Sequence, residues 1–448
     1  MPPQVISSLV LKLMNQQPVL PIVIRAEPAR LNEVLNAISA RNLDMTTRSL
    51  EATFARPPLP PPPPLFPMFS LLPTPPFPSP PPLPFARQVI PSFEMFNLVS
   101  SPSDIEEIAS IDGVQRIFVD LPVRAIGPTT APYPQELMKG WVTTQQINKE
   151  LEIDAARKKG LNGEGVTVAI IDTGVNNTHP MFQGKVMSLA APPHPPQVDE
   201  NGHGSWCVSA VGGNAYTSPQ GIYCEGVAPK ARLIAIKVLG FGIGTGTTSG
   251  VLKGMEMAVQ QGADIASMSL GSDGIPEADS PLCQIVNETK DKIIWVIAAG
   301  NSGPGVKTIG TPGNAKGAIT VGSLSYFDRT PAYFSSRGPT LDGIVKPTIM
   351  CFGGGRKKSD MKPKELCFMA TSLGSVLDGI EDKVKDGWEA MQGTSMATPR
   401  LAGMMALWKQ ARPELTTDEV LRIFREVGGS MSNEAGYGLA KFTWLLEE

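Results

Sequence analysis

Histidine is scarce in this 448-residue chain, with three in all, and cysteine is nearly as rare, with five. Five cysteines, at 207, 224, 283, 351 and 367, are too few for a disulfide scaffold, and their odd number leaves at least one thiol unpaired. Cys207 and Cys224 admit two readings, a disulfide in an oxidising compartment or two buried thiols. No run of eighteen apolar residues occurs, so a membrane-spanning helix is not expected. Neither sign of charge dominates: the formal net charge is −3 and the pI near 5.8, which gives no electrostatic case for nucleic acid or an anionic membrane as partner. The opening residues, Met1-Pro2-Pro3-Gln4-Val5-Ile6, lack the cationic leader and apolar core of a secretory signal. What the chain does have is length, enough for two or three domains and one large buried core.

The N-terminal quarter contains two similar halves. Val19 to Arg25 reads extended, Pro28 opens a helix with Leu31, Val34, Leu35 and Ile38 on one face, and Met45 to Phe54 reads extended again. Ser92 to Val99 is then extended, Ser103 caps a short helix with Ile105 and Ile108 inward, and Val114 to Val119 closes the second half. This order is that of a small α+β ferredoxin-like domain, placed over residues 1–125. Between the halves lie residues 57–84, of which sixteen in twenty-eight are proline. Such a segment cannot supply ladder hydrogen bonds. It reads as a polyproline or unstructured spacer looped out between the middle strands, with docking of a proline-binding partner as the alternative. Residues 126–142, rich in proline and small side chains, read as a linker.

Residues 143–448 alternate strand and helix. Val166 to Ile171, Arg232 to Leu239, Asp264 to Leu270, Ile293 to Ala298 and Ala318 to Val321 are apolar runs of strand length, rich in Val and Ile. Helices are expected around Val251 to Val259, near 280–291, from Ser395 to Lys409, and from Thr417 to Val427 with Thr416 or Thr417 as cap. The expected fold class is α/β, a doubly wound parallel sheet in which ligands bind beyond the carboxyl ends of the strands. Asp172 and Asn301 fall just past two such ends.

Three motifs supply what a serine nucleophile needs. Gly393-Thr394-Ser395-Met396-Ala397-Thr398-Pro399 sets a hydroxyl at the mouth of a helix, near positive helix-dipole charge. Alone, such a serine is more simply a helix cap. Val168-Ala169-Ile170-Ile171-Asp172-Thr173-Gly174 offers an acid, and Asn201-Gly202-His203-Gly204-Ser205 a base. The order acid, base, nucleophile, together with Ala298-Ala299-Gly300-Asn301-Ser302-Gly303, resembles the subtilisin-like serine proteases over about two thirds of the chain.

The resemblance implies roles. Ser395 would attack a carbonyl, His203 would take its proton, and Asp172 would hold the imidazole in its tautomer. Asn301 and the Ser395 backbone N–H would stabilise the oxyanion. Of the other histidines, His179 matches a position that is structural in the family, and His194, in Pro192-Pro193-His194-Pro195-Pro196, reads as a solvated loop residue. Ser269-Leu270-Gly271 and Ala298-Ala299-Gly300 would wall the pocket for the residue before the scissile bond, with Gly310 near its floor. Glycine and alanine leave that pocket uncharged, which suits apolar or aromatic side chains. The backbone near Gly240 to Gly244, Gly242 included, would pair with extended substrate as an added strand.

The resemblance further implies a zymogen, with residues 1–125 as a propeptide that acts as intramolecular chaperone and inhibitor, and with self-cleavage in the linker. Protein or peptide substrates are the expected partners. No cofactor is required for the chemistry; structural calcium is an expectation from the resemblance only, since no compact carboxylate loop stands out. Most relatives are exported, so the absence of a recognisable signal leaves the compartment open between export and action inside the cell. Two features depart from the family pattern: Trp206 stands three residues after His203 where another histidine is usual, and an insertion follows Cys351-Phe352-Gly353 through about Met391. Its Arg356-Lys357-Lys358 reads as a solvated loop cluster. The competing reading is a catalytically silent binding protein that keeps the fold and uses the proline-rich segment. An esterase is disfavoured because no Gly-x-Ser-x-Gly elbow surrounds Ser395.

Overall fold

A computed structural model describes residues 5–7, 10, 13–14, 20–41, 43, 88–125, 139–195, 198–240, 242, 244–272, 279–361, 363–380 and 384–446. The chain divides into two compact units, Met1–Asp120 and Leu121–Glu448. The expected strand at Met45 to Phe54, the proline-rich segment 57–84 and most of the linker lie outside the described residues.

In the first unit the order is β1 (Leu20–Ala26), α1 (Leu31–Ala40), β2 (Val89–Ile90), β3 (Met95–Ser100), α2 (Pro102–Ala109) and β4 (Val114–Val119). The strands form an antiparallel sheet in the order β2-β3-β1-β4, with Ile24 opposite both Phe96 and Ile117. Leu31, Val34 and Ile38 of α1 and Ile105 and Ile108 of α2 are buried, as their helical spacing requires. Details differ from expectation. Pro28 and Ala29 form a turn ahead of α1 rather than its first residues. Pro91–Phe93 is a short 3-10 turn, closed by Glu94 in the left-handed region, so β3 starts only at Met95. Ser101, not Ser103, caps α2, because Pro102 occupies the first helical position and the Ser101 hydroxyl accepts from Asp104 N at 3.2 Å.

The second unit begins with β5 (Pro122–Ala125), β6 (Trp141–Val142), α3 (Thr144–Glu150), α4 (Ile153–Lys158), β7 (Thr167–Asp172), β8 (Met187–Ala190) and α5 (His203–Gly212). It continues with β9 (Tyr216–Thr217), β10 (Tyr223–Cys224), β11 (Arg232–Lys237), β12 (Thr245–Thr247), α6 (Thr248–Gln260), β13 (Ile265–Met268), β14 (Leu270–Gly271), α7 (Pro281–Thr289) and β15 (Ile294–Ala298). The remaining elements are β16 (Ile319–Leu324), β17 (Ile349–Phe352), β18 (Leu366–Ala370), β19 (Trp388–Met391), α8 (Thr394–Ala411) and α9 (Thr417–Val427).

Seven strands form one parallel sheet in the order β17-β16-β15-β13-β7-β11-β8. Residues on alternate sides of these strands meet different layers. Val168, Ile170, Leu233, Ala235 and Val296 share a core with α5 and α8, whereas Ile171 and Ile236 meet α6 at Gly254. Burial on both faces explains why the strands read as continuous apolar runs. This is the doubly wound parallel sheet expected, with the α+β domain before it. The strand order reverses around β7, which places the crevice at its carboxyl end.

Helix α8 is buried from Thr394 through Trp408, with apolar and small side chains on all sides, as a central helix must be. The segment after Gly353 is built into the unit: β18 pairs with β6 and β19, and Phe368 stacks between Trp141 and Trp388. Arg356 is likewise not a solvated loop residue. Its guanidinium donates to the Pro363 carbonyl at 3.0 Å, reaches Asp328 and lies 4.9 Å over the Phe327 ring, whereas Lys357 and Lys358 are exposed. All five cysteines are buried free thiols, so Cys207 and Cys224 are not paired with each other. No helix among the described residues is long and apolar enough to cross a membrane.

Candidate active site

Strand β7 delivers Asp172 to the carboxyl end of the sheet, and helix α5 opens with His203 beside it. Two glycines make this approach possible. Gly202 sits at φ +98°, the left-handed region that favours glycine, and turns the chain into α5. Gly204 lies so close to the turn after Asp172 that a Cβ there would fall 2.2 Å from the Gly174 carbonyl oxygen. As a result His203 Nδ1 meets Asp172 Oδ1 at 2.8 Å, with both side chains at or below 1 % exposure. Burial alone disfavours the imidazolium, but the facing carboxylate outweighs it and holds the His203 pKa above the ordinary value.

Asp199 organises the same corner. Its Oδ1 accepts from the Thr173 hydroxyl at 2.9 Å and Gly202 N at 2.8 Å, and its Oδ2 accepts from Ser205 N at 2.8 Å and the Ser205 hydroxyl at 2.7 Å. Thr173 Oγ1 in turn accepts from Gly204 N at 2.7 Å. One buried carboxylate therefore ties the residue after Asp172 to both flanks of His203. Burial raises its pKa, and these donors oppose the rise. Lys237, at the end of β11, adds a bond to the Thr173 carbonyl at 3.1 Å and pairs with Glu200.

Ser395 is the second residue of α8. Its hydroxyl donates to the Ser269 carbonyl at 3.3 Å, and the Ser269 hydroxyl donates to the Ser395 carbonyl at 3.1 Å. His203 Nε2 is buried and has no hydrogen-bond partner among the described residues. Asn301 Oδ1 accepts from Thr394 N and the Thr394 hydroxyl, both at 3.0 Å, which fixes the amide beside the start of α8. A Cβ on Gly393 would come within 3.1 Å of Asn301 Nδ2, so the amide nitrogen faces bare backbone two residues before Ser395. Cys207, one turn after His203, donates to the Ser395 carbonyl at 3.7 Å, and its sulfur lies 3.8 Å from His203 Nδ1. Burial raises the pKa of this thiol. Asp172, His203 and Cys207 are grouped closely enough to share an ion, but nitrogen and sulfur donors do not suit calcium.

The other expected residues fall around this centre. Leu270 and Gly271 form β14, Ala298 ends β15, Gly300 N donates to the Thr394 hydroxyl at 3.3 Å, and Gly310 N donates to the Ala299 carbonyl at 3.0 Å. In the loop from Gly240 to Gly244, Gly240 N bonds the Thr245 carbonyl at 2.8 Å, the Gly242 carbonyl accepts from Asn201 Nδ2 at 2.6 Å, and the Gly244 carbonyl accepts from Ala125 N at 2.8 Å. Thr245–Thr247, which follow, pair with β5 of the chain itself.

His179 is buried against Trp388, 4.9 Å between ring centres, and burial depresses its pKa to about 4. His194 is not a freely solvated loop residue. It is half-buried, its ring packs on Gly240, where a Cβ would lie 2.6 Å from Nδ1, and burial lowers its pKa. Trp206 turns inward, with its indole N–H donating to the Glu389 carbonyl at 3.1 Å and Arg400 5.1 Å over its ring. Sequence reasoning missed Asp199 and β5. An acid four residues before His203 was a visible but unspecific signal for the first.

A buried aspartate–histidine pair at the carboxyl end of a doubly wound parallel sheet, with a serine at a nearby helix mouth, defines a class of serine hydrolase. Residues 163–438 match the model of the subtilase family. The chain belongs to that family. It is 34 % identical over 349 residues to the serine protease AprX of Bacillus subtilis, covering 72 % of each chain. It is 33 % identical over 289 residues to subtilisin Savinase of Lederbergia lenta, covering 64 % of this chain and 92 % of that one. With alkaline elastase YaB of a Bacillus species it shares 31 % over 304 residues, 66 % of this chain and 69 % of that one.

Proposed function

We propose that this protein is a serine endopeptidase made as a zymogen, in which Ser395 is the nucleophile, His203 the general base, Asp172 the group that orients it, and Asn301 an oxyanion donor. The buried 2.8 Å bond between Asp172 and His203 carries the proposal. It directs the protonated nitrogen of His203 toward Asp172 and leaves Nε2 to take a proton.

In the reaction the Ser395 hydroxyl leaves the Ser269 carbonyl and donates to His203 Nε2 as Oγ attacks the peptide carbonyl. The resulting oxyanion accepts from Asn301 Nδ2 and Ser395 N. His203 then returns the proton to the departing amine, leaving an acyl ester on Ser395, and a water activated by the same imidazole releases the acid. Side chains and backbone supply every proton transfer and charge contact, so the proposal calls for no cofactor. The lining of Ala298, Ala299, Gly300 and Gly310 supports a preference for an apolar or aromatic residue before the scissile bond. The α+β domain of the first unit supports a propeptide role.

The test is hydrolysis of peptide anilides by the parent and by Ser395→Ala after incubation. Cleavage by the parent after Phe or Leu, weaker cleavage after Lys, and none by the variant is the expected result. Equal rates for the two proteins would overturn the proposal.

A further inference from the structure

The inserted segment runs on past β18, and its residues 371–380 lie against the chain just before His203. Thr371 Oγ1 donates to the Gly202 carbonyl at 2.8 Å, Val376 N to the Glu200 carbonyl at 2.9 Å and Leu377 N to the Asn201 carbonyl at 3.0 Å. A Cβ on Gly202 would fall 2.4 Å from Ser375 Oγ, so the two stretches are in close contact. Asp378 holds the loop in shape by accepting from Gly374 N at 2.7 Å and Gly387 N at 3.0 Å. These bonds fix the backbone of Val376, yet its side chain is 51 % exposed. Burial does not require an apolar residue there.

Val376 stands at the edge on which β5 is laid. Its Cγ2 lies 3.2 Å from where a Cβ on Gly242 would be. The Gly242 carbonyl accepts from Asn201 Nδ2 at 2.6 Å. A Cβ on Gly244 would lie 3.3 Å from that same nitrogen and 3.2 Å from the Ala125 methyl. The Ala125 side chain therefore points into a corner where Gly244 and Asn201 come first, with Gly242 and Val376 behind them. Ala125 pairs opposite Leu270, and Ser269, the residue before Leu270, is joined to Ser395 by two hydrogen bonds. An extended peptide laid in the same antiparallel register has its second residue before the scissile bond where Ala125 stands.

We infer that Val376 is a specificity-determining residue: with Asn201 and Gly242 it closes the pocket for the second residue before the scissile bond, and it selects an apolar side chain larger than the methyl of Ala125. The inference rests on the serine-endopeptidase reading above and adds a wall that the inserted loop supplies. A leucine in the place of Ala125 reaches past the Gly244 backbone to the Val376 methyls, and apolar surface on both sides leaves water. A lysine there meets valine and backbone without a countercharge. Glu200, next to Asn201, is already paired with Lys237.

The test compares kcat/KM on the peptide anilides Ala-Ala-X-Phe, with X as Ala, Leu or Lys. The proteins are the full chain after incubation, Ser395→Ala, Val376→Ala, Val376→Asp and Leu373→Asp. Leu373 is exposed on the same loop but lies beside Gly387, which makes it the control. In the parent the Leu peptide should be cut about fivefold or more faster than the Ala peptide, with the ratio falling toward one in Val376→Ala. Val376→Asp should move the Lys-to-Leu ratio about tenfold toward Lys. Leu373→Asp should leave both ratios at their parent values. Ratios unchanged in both Val376 variants, or moved equally by Leu373→Asp, overturn the inference and leave the protease reading standing. Equal rates for the parent and Ser395→Ala, at zero or above it, overturn the protease reading and this inference with it.

Discussion

Asp199 takes both hydrogen bonds that Ser205 can offer, from its N–H at 2.8 Å and its hydroxyl at 2.7 Å, and so clamps the first turn of α5 two residues beyond His203. With Thr173 and Gly202 on its other oxygen, the carboxylate accepts four bonds and has no donor to give. In Asp199→Asn an amide N–H₂ must face one of these donor pairs. The variant, measured by urea unfolding in a Ser395→Ala background, should lose about 2–4 kcal/mol of stability. In the active background kcat should fall more than KM rises, because Asp199 acts through Thr173, Gly202 and Ser205, the residues beside Asp172 and His203.

Gly204→Ala should reverse the usual sign of a helical glycine substitution. Alanine ordinarily stabilises a helix interior by about 1 kcal/mol. Here its methyl would stand 2.2 Å from the Gly174 carbonyl, forcing α5 away from the turn that holds Asp172. Lower thermal stability together with reduced peptide hydrolysis is the expected outcome. A variant as stable and active as the parent would show that this close approach is not required.

His179 should make the protein sensitive to mild acid. Burial depresses its pKa from 6.5 to about 4, so the unfolded chain binds a proton before the native state does. The stability this residue gives is fully present above pH 6.5 and is lost as pH falls toward 4, an amount of about 3 kcal/mol. Urea unfolding of the Ser395→Ala chain across that window should show the loss. The slope should flatten in a further His179→Asn variant, whose overall stability will also be lower because its ring contacts with Trp388 and Phe182 are gone.

Asn301→Ala should lower kcat by about 10²–10³-fold with a much smaller change in KM, since an oxyanion donor acts mainly on the transition state. Steady-state kinetics on one peptide anilide separates the two parameters. A change confined to KM would place Asn301 in substrate binding instead.

Much of this was legible because it is local. Val114 to Val119 is a strand with the bounds its pattern suggests, and of the two cap residues offered by the sequence, Thr416 and Thr417, it is Thr416 that caps α9, with a reciprocal bond to Glu419. The central strands stood out because burial on both faces demands unbroken apolar runs. What was hidden depends on partners distant in sequence. Pro122-Val123-Arg124-Ala125 has no strand signature of its own and becomes one only between two waiting edges more than a hundred residues away. α5 was obscured by Gly202-His203-Gly204-Ser205, which reads as loop until close packing explains the glycines. Nothing local marks Asp199, because Thr173, which it binds, lies 26 residues earlier. The same holds for Arg356, whose partners Asp328 and Phe327 come from another loop.

Covalent capture shows whether the Asp172–His203 pair activates Ser395. The processed enzyme is treated with a fluorophosphonate, and peptide mass mapping locates the adduct. A single adduct on Ser395 is expected, its formation strongly slowed in His203→Ala and absent in Ser395→Ala. An adduct on another residue, or labelling of Ser395 at an unchanged rate without His203, would contradict it.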